Sequence, residues 1–365
     1  MKRRGQISIW LAFCILLLSG GLVSHVMAIP LILGAAHRDA WVSTLVAAPL
    51  FLLWITILYF IMKHLDGQRL TDWLERQLSP FVAWPFRIIT AVMIFVLGAY
   101  TLNDTSTWAV VTYMQQTPAL VIVSIGVLVS AIAACLGLRS IALTSGILLP
   151  IVILFGLFVM TANSKYKDYS LLFPIIEHGW SPVLKGAFYS ITGLMEIWIL
   201  LLFQHQIKSK IKLWQLLALS VLLIIMTIGP TVGSITEFGP QEAAKQRNTA
   251  FEQWKILQIG ELFQHVDFMS IYQWMCGSFT RVALSLYLLP DLLNIRKPRK
   301  RYWTIAVLSF VMGAIAVYPY KDDLTLAYLS QIHFPAFFLF IVCVTALLLV
   351  TIPISIYRKK ASASE

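Results

Sequence analysis

Charge is scarce in this chain: Asp, Glu, Lys and Arg make up 12% of its 365 residues, while 59% are hydrophobic. A water-soluble globule usually holds about 25% charged and about 45–50% apolar residues, so a soluble fold is excluded and a lipid-embedded one follows. Cysteine is scarce too. Cys14, Cys135, Cys276 and Cys343 lie in apolar segments with no C-x-x-C spacing and no neighbouring His pair, so they are read as packing residues and no metal site is expected. No low-complexity tract occurs, and no polar stretch is long enough for a large soluble domain. The G-x-S-x-G elbow, H-E-x-x-H, the Walker loop and the dinucleotide glycine fingerprint are missing, and His178 and His205 stand in loops without carboxylates at useful spacing. Neither an enzyme nor a cofactor is expected.

What the chain has instead is apolar runs. Bounded by charges, Pro and Gly, they fall near 8–33, 41–62, 82–112, 119–137 and 140–161, then near 183–203, 213–233, 266–290, 303–320 and 333–356. A helix needs roughly 20 apolar residues to cross the hydrocarbon core, so the fold expected is an all-α integral membrane protein of about ten transmembrane helices. Residues 1–365 then form a single transmembrane domain. The start, Lys2-Arg3-Arg4 and the apolar run to Ala28, has the outline of a secretory signal. That run is long, carries polar residues from Ser19 to Ser24 and precedes further spans, so it is read as the first transmembrane helix.

The net charge of +11 does not speak for nucleic acid, because the basic residues sit between apolar runs and not on an amphipathic surface. They act as topology signals. With the N-terminus inside, the inner loops hold Lys2, Arg3, Arg4, Lys63, Arg69, Arg76, Arg139, Lys208, Lys210, Lys212, Arg296, Lys297, Arg299, Lys300, Arg301, Arg358, Lys359 and Lys360. Both termini are thus expected in the cytoplasm.

Ten spans with both ends inside divide as five plus five, 8–161 and 183–356, and an odd number per half turns the second half upside down relative to the first. In such an inverted repeat helix 1 corresponds to helix 6. Ser19-Gly20-Gly21-Leu22-Val23-Ser24-His25 and Tyr189-Ser190-Ile191-Thr192-Gly193-Leu194-Met195-Glu196 mark a break in each, where weakened winding frees backbone groups for a ligand. The plainer alternative is that these small residues let helices pack closely.

Ionisable groups inside spans mark sites by default. Glu196, beside the second break, is placed to bind an ammonium group, relay a proton or pair with Arg281 of helix 8. Gln273, Gly277, Arg281 and Ser285 recur every four residues on one helix face, which should point inward. Ion pairing and ligand contact both remain open for Arg281. Tyr100, Asn103, Asp104 and Thr107 form a polar stripe on helix 3, where Tyr100 suits a substrate carboxylate and Asp104 is read as interfacial. His25 is read as a packing residue, with a proton switch as the alternative. The ligand-binding set is therefore Gly20, Gly21, Ser24, Tyr100, Thr192, Gly193, Glu196, Ser278 and Arg281. The longest connection, 234–265, carries a helix-like piece from Gln241 to Ile256, either a surface helix in the outer headgroup region or a lid.

The basic start leading into a broken helix that ends in Ala28-Ile29-Pro30 resembles the permease-like B subunits of endospore germinant receptors. A second block looks like that family's loop into helix 8: Ile259-Gly260-Glu261-Leu262-Phe263-Gln264-His265-Val266-Asp267-Phe268, then Gln273-Trp274, Gly277-Ser278-Phe279-Thr280-Arg281 and Ser285-Leu286-Tyr287. The resemblance implies the amino acid, polyamine and organocation transporter superfamily and a subunit that senses nutrients such as amino acids in the inner spore membrane. It implies assembly with an A-type membrane subunit and a C-type lipoprotein subunit. It also implies a ligand site on helices 1, 3, 6 and 8, carried here by Gly20, Gly21, Tyr100, Gly193 and the neighbourhood of Arg281. A secondary transporter of amino acids, coupled to H⁺ through Glu196 or to Na⁺ through freed carbonyls, is the principal alternative.

Overall fold

The computed structural model describes residues 6–257, 266–318, 320 and 322–361. Lys2, Arg3 and Arg4, Lys321, and the Ile259 to His265 part of the second family-like block lie outside the described residues.

The apolar runs become helices because a backbone in lipid must satisfy its own N–H and C=O groups. In chain order they are α1 (Ile9–Leu22), α2 (Ile29–Ala36), α3 (Ala40–Leu65), α4 (Leu70–Gln77), α5 (Pro80–Thr112), α6 (Ala119–Leu136), α7 (Leu138–Ala162) and α8 (Trp180–Leu194). There follow α9 (Leu200–Phe203), α10 (Leu213–Phe238), α11 (Pro240–Ala243), α12 (Thr249–Lys255), α13 (Met269–Leu292), α14 (Pro298–Ala316), α15 (Asp322–Tyr328) and α16 (Phe334–Ala361). The ends follow local chemistry. The Ser8 hydroxyl accepts from the Leu11 N–H at 3.3 Å, capping α1. Gly137, Gly179 and Gly239 take φ values of +98°, +78° and +81° at the turns into α7, α8 and α11.

Seven helical runs among the described residues are long and apolar enough to cross a membrane. The first, Ile9–Leu65, spans 57 residues. It contains α1 to α3 and is interrupted at His37, whose φ of +47° ends α2 before α3 begins and packs back on it. Two further helices, α13 and α14, have membrane-spanning length but are more polar: α13 carries Arg281 and α14 opens with Pro298-Arg299-Lys300-Arg301.

Burial separates centre from rim. The run Trp180–Gln206 is 89% buried within its apolar window, whereas α6 and the run Leu138–Tyr166 are 22% buried. The latter present Ile125, Leu128, Ile132, Ile147 and Leu154 outward, as a lipid-facing surface requires. The central run is held by α2 and α3 on one side, while α1 packs between α7 and α13.

Helices 1 and 6 do not come apart at their marked sites; they change winding. Between α1 and α2 the chain makes a wide π turn, Val23–Ala28, and between α8 and α9 a tight 3₁₀ stretch, Met195–Ile199. A second π turn, Leu329–His333, joins α15 to α16 and had no counterpart in the sequence expectations. Helices 1 and 6 run antiparallel. A Cβ on Gly193 would lie 3.1 Å from the Ala28 Cβ, Gly20 faces Glu196 to Ile199 across a small cavity, and Ile7 pairs with the end of helix 6. That last pairing is a short parallel bridge, with the Ile7 N–H donating to the Gln206 carbonyl and the Lys208 N–H to the Ile7 carbonyl, both at 2.9 Å.

Candidate functional site: the winding changes of helices 1 and 6

At the end of α1 the Val23 N–H donates to the Gly20 carbonyl, three residues back and not four. Side chains also donate to carbonyls in the π turn and in the last turn of α1. The Ser24 hydroxyl donates to the Gly20 carbonyl at 3.2 Å and to the Gly21 carbonyl at 3.1 Å. His25 Nδ1 lies 2.9 Å from the Gly21 carbonyl, an acceptor, so the ring proton sits on Nδ1. Arg281 Nη1 donates to the Ser19 carbonyl at 3.1 Å, and Arg247 Nη1 to the Val26 carbonyl at 3.3 Å.

Arg281 also reaches helix 6. Its Nη1 lies 2.7 Å from Glu196 Oε1 and 2.9 Å from Oε2, and the two side chains are 2% and 4% exposed. One guanidinium from α13 therefore joins the winding change of helix 1 to that of helix 6. Among the described residues, Nε and Nη2 of Arg281 have no hydrogen-bond partner. Both charges are withdrawn from water, so each depends on the other: removing one member of such a pair leaves a buried, uncompensated charge.

Ser19, Gly20, Ser24, Gly193 and Glu196 line a cavity of about 10 Å³, room for about one water-sized sphere. It is closed further by Leu16, Leu194, Ile197, Ile199 and Leu223.

The other end of the π turn has its own charged cluster. Arg247 emerges from the break between α11 and α12, and its Nη2 lies 2.6 Å from Asp104 Oδ1 and 2.9 Å from the Tyr100 hydroxyl. Tyr100 stacks against His333 of the second π turn, at 6.3 Å between ring centroids and 17° between planes. Phe251 and Trp254 of α12 are buried in the protein, Phe251 against Trp108, so the helix-like piece is not a headgroup-anchored surface helix. Its Gln253 inserts toward α10, donating to the Pro230 carbonyl and the Ser234 hydroxyl.

Four of the nine expected ligand residues, Gly20, Ser24, Gly193 and Glu196, share the cavity, and Arg281 bonds to its wall. The rest are employed elsewhere. Gly21 faces Met226, the Thr192 hydroxyl donates to the Phe188 carbonyl at 2.6 Å, and Ser278 is buried on α13 with no bond to the pair. Tyr100 belongs to the Arg247 cluster. Gly193 is helical, and its lack of a side chain serves close approach to Ala28. The expected polar face of α13 does point inward: Gln273 bonds to Trp254 and the Val152 carbonyl, and Gly277 lies against α1. Asp104 is a charge partner with 12% side-chain exposure, not an ordinary interfacial residue.

Arg247 and His333 went unrecognised in the sequence. His333 could have been found by the criterion applied to Glu196, since it opens an apolar run. Outside the spans, electrostatics are local. Asp168 is held below the usual carboxylate range by the Ser170 hydroxyl and N–H, and Lys210 is raised by Asp66 at 2.7 Å. Two loops tie one face together: Asp39 accepts the Ile176 and Glu177 N–H groups at 2.7 and 3.0 Å, and Arg38 pairs with Glu177.

Among known proteins, the family model described as spore germination protein, the spore permeases, matches residues 7–325. Spore germination protein XB of Bacillus anthracis is 39% identical over 352 residues, which cover 95% of this chain and 98% of that protein. Spore germination protein KB of Bacillus subtilis (strain 168) is 19% identical over 258 residues, 69% of each chain. A family match over most of the chain and a nearly full-length relative converge on one assignment: this chain belongs to the spore germination protein family of membrane permeases.

Proposed function

We propose that this chain is the nutrient-sensing membrane subunit of a germination receptor, with a small amino acid as its ligand. The sensing site is the pair of winding changes in helices 1 and 6, built from Gly20, Gly21, Ser24, Thr192, Gly193 and Glu196, with Tyr100, Ser278 and Arg281 around it. The frame is ten membrane passages in a five-plus-five inverted repeat; the antiparallel course of helices 1 and 6, with Gly193 beside Ala28 and Gly20 near Glu196 to Ile199, supports it. Both termini face the cytoplasm, and the membrane is the inner spore membrane or the cell membrane. An A-type membrane subunit and a C-type lipoprotein subunit complete the receptor.

One observation carries this reading. The Ser19, Gly20 and Gly21 carbonyls of α1 and the Val26 carbonyl of the π turn accept from Ser24, His25, Arg281 and Arg247, and the cavity beside α1 takes about one water-sized sphere. A ligand ammonium competes for these carbonyls and for Glu196, so binding exchanges side-chain caps for ligand contacts. That exchange gives the ligand different affinities for the closed and opened forms, and this difference sets how far the equilibrium shifts. The opened form then biases the partner subunits toward germination.

The test is germination of spores lacking this gene across single amino acids and sugars, alongside radiolabelled uptake into vesicles containing the protein. Loss of response to one nutrient without uptake supports the receptor and names its ligand. Saturable uptake with normal germination makes the chain an H⁺- or Na⁺-coupled amino acid transporter instead.

A further inference from the structure

Between α4 and the link from α13 to α14 lies an open cleft of about 910 Å³, within the roughly 300–1,000 Å³ of small-molecule sites. Asp72, Glu75, Arg76, Arg296, Lys297 and Lys300 line it. Ion pairs fix its walls. The buried Arg87 guanidinium of α5 lies 2.7 Å from Glu75 Oε2 and 3.5 Å from Asp72 Oδ1, and Arg296 Nη2 lies 2.9 Å from Asp72 Oδ1. Both carboxylates of α4 are thereby engaged. Lys297 and Lys300 are exposed and have no ion-pair partner among the described residues. Five cations, Arg76, Arg87, Arg296, Lys297 and Lys300, thus stand around two carboxylates, and the cleft carries uncompensated positive charge.

A second set of residues marks the height of the cleft in the membrane. Helices α5 and α14 run side by side in the same direction, since a Cβ on Gly98 would meet Met312 and Asn103 Nδ2 donates to the Ala316 carbonyl at 2.8 Å. Their starts therefore stand together. There Phe81, Trp84, Tyr302 and Trp303 are exposed, and aromatic residues at the ends of spanning helices lie at headgroup level. From the cleft inward, Lys300, Trp303, Val307 and Val311 recur every three or four residues on one exposed face of α14. That face offers a cation, then an aromatic ring, then an apolar track, the order in which a phospholipid offers phosphate, glycerol region and acyl chain. We propose that the cleft between α4 and the start of α14 binds the headgroup of an anionic phospholipid, its phosphate against Lys297 and Lys300 and an acyl chain along Trp303, Val307 and Val311. Basic pockets between membrane helices bind such headgroups by charge. An acidic protein segment would match the charge alone and leave the apolar face of α14 unanswered, so the combination favours lipid.

The test follows Tm of the purified full-length protein in neutral detergent as phosphatidylglycerol, phosphatidylcholine, inorganic phosphate or a glutamate-rich peptide is added at equal ionic strength. A ligand that binds only the folded state raises its Tm. Phosphatidylglycerol is expected to raise Tm above the value in phosphatidylcholine, and phosphate and the peptide are expected to leave it unchanged. Lys297→Gln with Lys300→Gln is expected to weaken the apparent affinity for phosphatidylglycerol by roughly tenfold or more. Lys63→Gln with Lys208→Gln, which removes the same charge from exposed positions outside the cleft, is expected to keep it. A Tm rise from phosphate alone would make this a free-anion site, and one from the peptide in place of the lipid a protein-docking surface. Equal losses in the two double variants would reduce the effect to diffuse surface charge. Each of these results overturns the proposal, as does a wild-type Tm indifferent to phosphatidylglycerol. If the Lys297 and Lys300 double variant does not fold, the four wild-type titrations decide alone. The germination phenotype is not used, so the receptor reading stands or falls separately.

Discussion

The two ends of the π turn in helix 1 are each held by an arginine, and the arginines differ in origin and setting. Arg281 comes from the middle of α13, is 2% exposed, and meets the Ser19 carbonyl and Glu196. Arg247 comes from the short link between α11 and α12, is 13% exposed, and meets the Val26 carbonyl, Asp104 and Tyr100. Deeply buried charge pairs are costly to break, while partly exposed ones retain some help from water. The first is therefore expected to hold the core, and the second to act as a latch whose loss leaves the core folded.

Substitutions sharpen or break that contrast. Arg281→Ala leaves the Glu196 carboxylate alone in the core and should cost about 3–5 kcal/mol of stability, read as a large fall in Tm in detergent. Adding Glu196→Gln should recover part of the loss, as a double-mutant cycle would register. Arg247→Ala should cost less, about 2 kcal/mol, the scale of a charged hydrogen bond. Its sharper signature is access: a cysteine at Ser24 should label faster with a thiol reagent when Arg247 is absent. Equal stability losses for the two arginines would erase the distinction between core and latch.

Glycines extend the comparison at smaller scale. Gly193→Ala would set its Cβ 3.1 Å from the Ala28 Cβ and force helices 1 and 6 apart by a few tenths of an ångström, at about 1 kcal/mol. Gly229→Ala on α10 meets nothing within 4 Å apart from its chain neighbours, but Pro230 follows and crowds a Cβ on the preceding helical residue, so the gain in helix propensity should be largely cancelled. Both are read from Tm. At the bottom of the scale, Lys210→Ala removes a pair whose side chains are 90% and 63% exposed and should leave Tm unchanged at moderate salt. Asp66 raises the Lys210 pKa, so whatever the pair contributes is present at neutral pH and lost as pH rises through that raised value.

The sequence disclosed the core better than the latch, for a physical reason. An ionisable residue in an apolar run is costly, so Glu196 and Arg281 stand out in the linear text, and with the small residues near 19–25 and 189–196 they mark where the backbone departs from regular winding. The exact departure was displaced. The chain stays α-helical through Gly193 and tightens only at Met195, because Gly193 is used for packing against Ala28. Arg247 gave no signal, since a basic residue in a polar loop costs nothing there. Only the tertiary course of 239–255, with Phe251 and Trp254 buried, brings it over helix 1. His333 carried the signal that revealed Glu196 but lay at the edge of a run. Side-chain bonding to the carbonyls around the π turn depends on contacts that no local pattern encodes.

The most direct test of the account is the nutrient response of spores carrying Gly193→Ala or Glu196→Gln in place of the native residue, with the protein present at wild-type level. The account predicts that each weakens or abolishes the response to the nutrient this chain senses. An unchanged response in both would contradict a sensing site at the winding changes of helices 1 and 6.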